Sequence, residues 1–198
     1  MSTARDAASR RYDLTEYPRQ AGALSRAAGP VLGAAMVTMG LMAGLFYAYT
    51  ISVMPGLASS DDRTFVIAMQ NIDSAIRNAA FFAAFVGAFV FTLIAAILQQ
   101  RSGRRAAARW IVASLVLYVV TLAITMGINV PLNDQLAAAG DPSQIVDLAA
   151  VRANFEGLWV ATNAVRTVAC TLALACLGRA LSLHGRVSER ALRLPVEH

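Results

Sequence analysis

Four side chains near residue 160 have the types and spacing of a small-molecule site. Glu156, Trp159, Asn163 and Arg166 follow one another at intervals of three, four and three residues. A helix would place all four on one face. A carboxylate can exchange protons, a guanidinium and an amide can donate hydrogen bonds to an anion, and an indole can stack on a flat ring. The segment 155–167 (FEGLWVATNAVRT) therefore raises the question of what chemistry this face performs.

Three further polar sets lie near the ends of apolar segments. One is Asn129 and Asn133 on either side of Pro131, and a second is Tyr47 with Tyr49. The third precedes residue 79 and comprises Asn71, Asp73, Arg77 and Asn78. We expect the sets to converge on one cavity, with an aromatic wall and a few polar groups, as in many small-molecule sites. The predicted binding residues are Trp159, Asn129, Asn133, Asn71, Arg77 and Tyr47, with Phe46, Phe81, Phe82 and Phe85 completing the wall.

A purely structural role is the alternative for each set. Glu156 would then neutralise Arg77 or Arg166, the asparagines would cap helix ends, and the aromatic rings would lie at the membrane interface. Arg166 fits this alternative least well, because it lies about ten residues, or roughly 15 Å, into an apolar helix. An arginine at that depth requires an internal anion or a water-filled space.

The elements that must position these groups are four apolar spans. Of the 198 residues, 57% are hydrophobic and 15% are charged. Segments 31–54, 79–98, 110–130 and 157–178 each approach the roughly 20 residues that cross a bilayer, and Arg166 is the one charged residue within them. The predicted fold is all-α, a polytopic membrane four-helix bundle (29–180) with two short amphipathic helices in the outer loops, an N-terminal tail (1–28) and a C-terminal tail (181–198).

The arginines predict the orientation of the spans in the membrane. All 17 basic residues are arginine, and most precede the first span, join the second to the third, or follow the fourth. The positive-inside rule then places both termini in the cytoplasm of a plasma-membrane protein. The surplus positive charge is expected to contact anionic lipids, and a nucleic-acid role is disfavoured.

The two outer connections look alike. Ser60 or Asp61 is expected to cap a helix with Phe65, Ile67, Met69, Ile72 and Ile76 on its apolar side, and Asp141-Pro142 to begin a second helix. Val-Met-Pro at 53–55 and Asn-Val-Pro at 129–131 are about 76 residues apart. This offset indicates a duplicated hairpin, although similar turn and helix-end residues in unrelated membrane hairpins explain it equally well.

Several cofactor classes are disfavoured. No histidine lies in a predicted span, which argues against histidine-ligated haem, zinc or copper and against a Ser-His-Asp triad. No glycine-rich phosphate loop is present. We therefore predict no metal site and no bound cofactor.

Four short segments carry a family resemblance: SVMPGL, DDRTFVIAMQNID, NVPLND and FEGLWVATNAVRT. Together they resemble the anthrone oxygenase family over roughly residues 30–180. The resemblance implies a four-span membrane fold and oxidation of anthrones to anthraquinones by dioxygen without a recognised metal or flavin. On this hypothesis a phenolic substrate stacks on Trp159, Glu156 removes a proton, and Arg166 with Asn163 or Asn129 stabilises the enolate. The competing prediction is a membrane protein that binds, carries or scaffolds a lipophilic ligand without turnover.

Overall fold

The computed structural model describes the backbone of residues 27–192 and the side chains up to residue 185. Within that range the chain is helical throughout, apart from short connections, and contains no strand. Most of the predicted N-terminal tail and the last residues of the C-terminal tail lie outside the described residues.

Five helices make up the described part of the chain. Four are long and apolar enough to cross a membrane: α1 (Ala27–Ala58), α3 (Ala79–Arg101), α4 (Arg105–Ala138) and α5 (Leu148–Leu192). The fifth, α2 (Asp62–Ile76), joins α1 to α3. The predictions of an all-α fold and of four spans are confirmed. Each spanning helix continues beyond the span predicted from hydropathy, because polar residues extend the helical turns past the apolar segment.

A π-helical turn interrupts each of α1 and α4 just before a proline. The turns cover Tyr49–Val53 and Thr125–Asn129, and Pro55 and Pro131 follow in the first turn of the next α-helical segment. Proline lacks an N–H and is tolerated at that position, so both helices continue instead of ending there. The two π-turns are 76 residues apart, the offset that the sequence comparison of the hairpins gave.

Helix α2 lies across one end of the spanning helices, which we call the capped end. It buries Phe65, Val66 and Met69 against Leu132, Leu136, Phe155 and Trp159. Ile67, which was predicted to lie on the apolar side, is exposed (39%). Val66 is buried in its place. The buried face of α2 therefore includes the adjacent residues Phe65 and Val66, which pack against α4 and α5.

The N-terminus of α2 is capped by Asp61, one of the two predicted residues. Its carboxylate accepts hydrogen bonds from the Thr64 backbone N–H at 3.0 Å and from the Thr64 hydroxyl at 2.7 Å. These bonds, the hydroxyl bond first, lower the pKa of Asp61 below its ordinary value of 3.8. The cap is therefore fully formed above that value and is lost as the pH falls through the lower pKa of the folded state.

We expect Asp61→Ala to accelerate amide hydrogen exchange at Thr64 and Phe65, because two hydrogen bonds at the start of α2 are removed. In the wild-type protein, acidification should lower the protection factors of the same two amides, measured relative to the intrinsic exchange rate at each pH. Ser74→Ala, at an exposed position in the last turn of the same helix, is the matched control. Equal exchange in the Asp61 and Ser74 variants would contradict the capping role.

The prediction of a second helix starting at Asp141-Pro142 is wrong. Residues 141–147 form turns, and α5 begins at Leu148 with Asp147 accepting a hydrogen bond from the Ala150 N–H at 2.9 Å. The outer helical segment of the second hairpin is instead the end of α4, Val130–Ala138, which continues past Pro131.

The core between the spanning helices is formed by small and aliphatic residues. It contains Leu32, Ala35, Met39, Ala88, Ile111, Ala173 and Leu177, all fully buried. At Gly87 a Cβ atom would lie 3.2 Å from the Thr38 methyl group, so α1 and α3 approach closely there. The Tyr118 hydroxyl donates to the Phe85 carbonyl at 2.7 Å and joins α3 to α4.

Candidate functional site

A cavity of about 300 Å³ lies between the spanning helices and beneath α2. This volume is at the lower end of the roughly 300–1,000 Å³ found for small-molecule sites. Aromatic and aliphatic side chains form most of its surface, and all five helices contribute. The aromatic lining residues are Phe46, Tyr49, Phe81, Phe82, Phe85 and Trp159, and the polar ones are Asp73, Arg77, Thr125, Asn129, Asn133, Asn163 and Arg166.

Arg166 is the cation at the deep end of the cavity. It is 4% exposed, and its guanidinium lies 4.5 Å from the centre of the Phe46 ring and 5.4 Å from that of Trp159. One amino group donates to Asn163 Oδ1 at 3.0 Å and the other to the Thr125 hydroxyl at 3.4 Å. Among the described residues no carboxylate lies within ion-pair distance of Arg166, and its Nε has no hydrogen-bond partner.

Asn163 orients Arg166. Its amide nitrogen donates to the Phe46 carbonyl at 3.1 Å and to the Thr50 hydroxyl at 2.9 Å, both on α1. Its oxygen is thereby turned toward Arg166, three residues further along α5. Two donors and one acceptor of the amide are used inside the protein, so Asn163 fixes the position of the guanidinium.

Asn129 lines the cavity and has a buried acceptor without a partner among the described residues. It is 2% exposed, and its amide nitrogen donates to the Thr162 hydroxyl at 2.9 Å. Its Oδ1 atom is buried without a hydrogen-bond partner among the described residues. Buried polar atoms are normally paired, so an unpaired oxygen beside a cavity is a position where a ligand donor would be stabilised.

A chain of hydrogen bonds connects the aromatic wall to α2. Trp159 Nε1 donates to Asn133 Oδ1 at 2.9 Å, and Asn133 Nδ2 donates to Asp73 Oδ1 at 2.6 Å. Arg77 donates to the second oxygen of Asp73 at 2.6 Å and to Asp134 at 3.0 Å. The hydrogen bonds from Arg77 to Asp134 and then to Asp73 raise the pKa of Arg77 above its ordinary value.

Glu156 was predicted to be the base in the cavity, but it does not line the cavity. Its carboxylate accepts from Arg152 Nε at 2.6 Å, so its partner is neither Arg77 nor Arg166. Arg152 also binds Asp62 at 3.1 Å and the carbonyls of Ser60 and Ala58, and it covers the Phe65 ring. Glu156 and Arg152 therefore fasten α5 to the connection between α1 and α2.

Tyr47 and Asn71 are also absent from the lining. Tyr47 is 53% exposed, and Tyr49 lines the cavity instead, with its ring centre 5.6 Å from that of Trp159. Residues two apart on a helix point about 200° apart, so the two tyrosines could not share a face. Asn71 is exposed on the outer side of α2. The other six predicted site residues, Arg166, Asn163, Trp159, Asn129, Asn133 and Arg77, all line the cavity.

Sequence reasoning omitted two polar lining residues from the predicted site. Thr125 precedes Asn129 and Asn133 at helical intervals of four, a spacing that already placed it on their face. Asp73 was grouped with Arg77, four residues later, but was given no role. The spacing of Arg152 and Glu156, also four residues, was the signal for their ion pair.

The arrangement can bind a flat apolar compound that carries an acidic or anionic oxygen. Its walls provide aromatic faces, Arg166 provides a positive charge for the oxygen, and Asn129 accepts from a hydroxyl group. A helical multi-pass membrane protein with a cavity between its spanning helices is the class that fold and site define.

The family of the chain follows from its sequence. A family model described as anthrone oxygenase matches residues 75–176, more than half of the chain. The chain belongs to the anthrone oxygenase family, as the sequence motifs indicated. No curated protein and no solved structure matches the chain.

Proposed function

We propose that the protein binds an anthrone-like or phenolic compound in the cavity and oxidises it with dioxygen, without a resident cofactor. The observation that carries this proposal is Arg166, a buried arginine without a carboxylate partner among the described residues, facing an aromatic cavity. A buried cation is costly unless an anion accompanies it. We infer that the substrate supplies that anion as its enolate oxygen.

The donors and acceptors of the cavity complement an anthrone. Arg166 would bind the ketone oxygen and stabilise the negative charge that develops there, as an oxyanion hole does. A neighbouring phenolic hydroxyl would donate to Asn129 Oδ1, which has no partner among the described residues. The planar rings would stack against Trp159 and Phe85.

The reaction follows from acidity at the methylene carbon opposite the ketone. Loss of one methylene proton leaves an electron pair that is delocalised onto the ketone oxygen. The carbanion then reacts with dioxygen to form a carbon–oxygen bond, and the peroxide anion takes up a proton. Loss of the second methylene hydrogen as a proton breaks the oxygen–oxygen bond. One oxygen atom ends in the new ketone and the other in water.

We infer that the substrate reaches the cavity from the lipid phase. Phe82 of α3 and Met126 of α4 line the cavity and are also exposed on the outside, by 49% and 57%. They mark a lateral opening between the second and third spanning helices. A lipophilic compound dissolved in the bilayer would enter there without crossing water.

The orientation in the plasma membrane remains a prediction from the arginines. Arg101, Arg104, Arg105, Arg109 and Arg179 lie at the end opposite α2, which the positive-inside rule assigns to the cytoplasm. Both termini would then be cytoplasmic, and the cavity would lie toward the outer leaflet. Membrane lipids are the expected partner of the spanning helices, and we propose no nucleic-acid partner.

Oxygen uptake tests the proposed function. Purified protein in lipid vesicles, given emodin anthrone, should consume one dioxygen per anthraquinone formed, above the spontaneous rate in protein-free vesicles. Heat-inactivated protein in the same vesicles is the second control. A rate equal to both controls would overturn the oxygenase proposal.

The alternative is a protein that binds or carries a lipophilic ligand without turnover. The observation that favours it is the position of Glu156, whose pairing with Arg152 removes the predicted base from the cavity. On this alternative, emodin anthrone and its anthraquinone should both raise the unfolding temperature while oxygen uptake stays at the spontaneous rate. The two measurements on one preparation separate the candidates.

A further inference from the structure

Among the residues that the structure describes, the cavity has one carboxylate on its lining, Asp73 of α2. Its side chain is 12% exposed, whereas those of Arg77 and Asp134, the other members of its ion-pair cluster, are 50% and 58% exposed. Asp73 is therefore the most buried member of this charged cluster. A carboxylate on the lining of a cavity, within reach of a bound substrate, is a candidate general base.

We propose that Asp73 is the base that removes the methylene proton, the role for which the sequence suggested Glu156. This inference rests on the proposed function. The carboxylate would form an O–H bond as the methylene C–H bond breaks, and the electron pair of that bond would move through the central ring to the ketone oxygen. The protonated Asp73 would return the proton to the peroxide anion, so each turnover regenerates the carboxylate.

Two donors hold Asp73 in position. Asn133 Nδ2 and Arg77 Nη2 each lie 2.6 Å from a different oxygen of the carboxylate. Each carboxylate oxygen has about two lone-pair sites, so one site per oxygen remains for a proton. Because Asn133 also accepts from Trp159 Nε1, the carboxylate is fixed relative to the aromatic wall on which the substrate would stack.

Asp73 and Arg166 mark opposite ends of the aromatic wall. The Arg166 guanidinium lies 5.4 Å from the centre of the Trp159 ring and reaches Thr125 of α4. Asn133, which binds Asp73, follows Thr125 by eight residues on α4, or about 12 Å along the helix axis. Asp73 is joined to Trp159 through Asn133 at the capped end. In an anthrone the ketone oxygen and the acidic methylene also lie on opposite sides of the central ring. A cation at one end and a base at the other suit that substrate.

The ion pair with Arg77 does not depend on Asp73 alone. Asp134 binds the same guanidinium at 3.0 Å and is not part of the cavity lining. Asp134→Asn is therefore a matched control, because it removes one carboxylate partner of Arg77 and leaves the cavity unchanged. Asp73→Asn removes the other partner together with the proposed base.

In lipid vesicles with emodin anthrone, Asp73→Asn should lower kcat by about 100-fold or more, the range for loss of a general base. Its affinity for the anthraquinone should change little, because Arg166 and the aromatic wall remain. Asp134→Asn should keep both values near those of the wild type. Asp73→Glu should recover part of the lost rate, and emodin anthrone deuterated at the methylene should react more slowly with Asp73→Asn, since proton removal then limits turnover.

Each result decides between the proposals. Wild-type turnover together with an undiminished rate in Asp73→Asn overturns the base and leaves the proposed function standing. Wild-type binding without oxygen uptake overturns both. Equal losses of rate in Asp73→Asn and Asp134→Asn, or a loss of anthraquinone affinity that matches the loss of rate, would reduce Asp73 to a structural ion pair and overturn the proposal.

Discussion

Replacement of Arg166 by methionine should lower kcat/KM for emodin anthrone by about 1,000-fold, the upper range for loss of an oxyanion donor. The guanidinium is the one cation at the deep end of the described cavity, and its buried position among Phe46, Trp159 and Asn163 makes its electrostatic effect strong. Affinity for the anthraquinone should fall as well, because the product keeps the ketone oxygen. Oxygen uptake and equilibrium binding in vesicles measure the two losses.

The same substitution should leave the fold intact or stabilise it. No described carboxylate loses an ion-pair partner when Arg166 is removed. Methionine fills the space of its apolar stem without burying a charge, and this gain should offset the loss of the donor to Asn163 Oδ1. Thermal unfolding in detergent should therefore give an equal or higher midpoint. A gain of stability with a loss of activity is the expected signature of a residue maintained for function.

Two further arginine variants define this result. Arg179 lies on the same helix, at the end of the bundle opposite α2, and is exposed. Arg179→Met should therefore change neither activity nor stability appreciably. Arg166→Lys retains the charge without the planar fork of donors and should fall between wild type and methionine. Normal anthraquinone binding and turnover by Arg166→Met would refute the assignment of Arg166 to the substrate oxygen.

Replacement of Arg152 by methionine should have the opposite balance of effects. We expect a loss of about 2–4 kcal/mol of stability, because the change leaves carboxylates and carbonyls that are partly shielded from water without their donor. Glu156, Asp62 and the carbonyls of Ser60 and Ala58 all depend on that guanidinium. The measurement is the midpoint of thermal unfolding in detergent.

Loss of Arg152 should also reduce activity indirectly. Helix α2 carries Asp73 and covers the cavity, and Arg152 is the residue that fastens its N-terminal connection to α5. Turnover at low temperature should remain measurable and should fall steeply as the protein warms. Arg63→Met, an exposed arginine in the first turns of α2, is the control. Unchanged stability in the Arg152 variant would contradict the fastening role.

Much of the fold was accessible from the pattern of hydrophobic residues. Four charge-poor segments of membrane length predicted the spanning helices, since an uninterrupted apolar helix has few other stable environments. The cap at Asp61 followed from local chemistry. The course of α4 beyond Pro131 did not, because a proline normally ends a helix and the π-turn that accommodates it has no clear sequence signature.

Several residues that line the cavity could be predicted from the sequence. Arg166, Asn163 and Trp159 were assigned to one face by helical spacing, and they line the same cavity. Glu156 shares their spacing but lies near the start of α5. Arg152, one turn earlier, donates a hydrogen bond to its carboxylate there. Helical periodicity predicts which residues share a face of the helix. Which part of that face borders the cavity depends on how the neighbouring helices pack against it.

The sequence by itself determined that this chain is an all-helical membrane protein of the anthrone oxygenase family with an unusually polar fourth span. Apolar length and residue order contain that information directly. The tertiary structure alone decided that Arg152 reaches across to Asp62 and fastens a helix, and it placed Asp73 rather than Glu156 beside the aromatic wall. The reason is physical, since ion-pair partners and cavity walls come from helices distant in the chain, and their contacts depend on packing that local spacing does not encode.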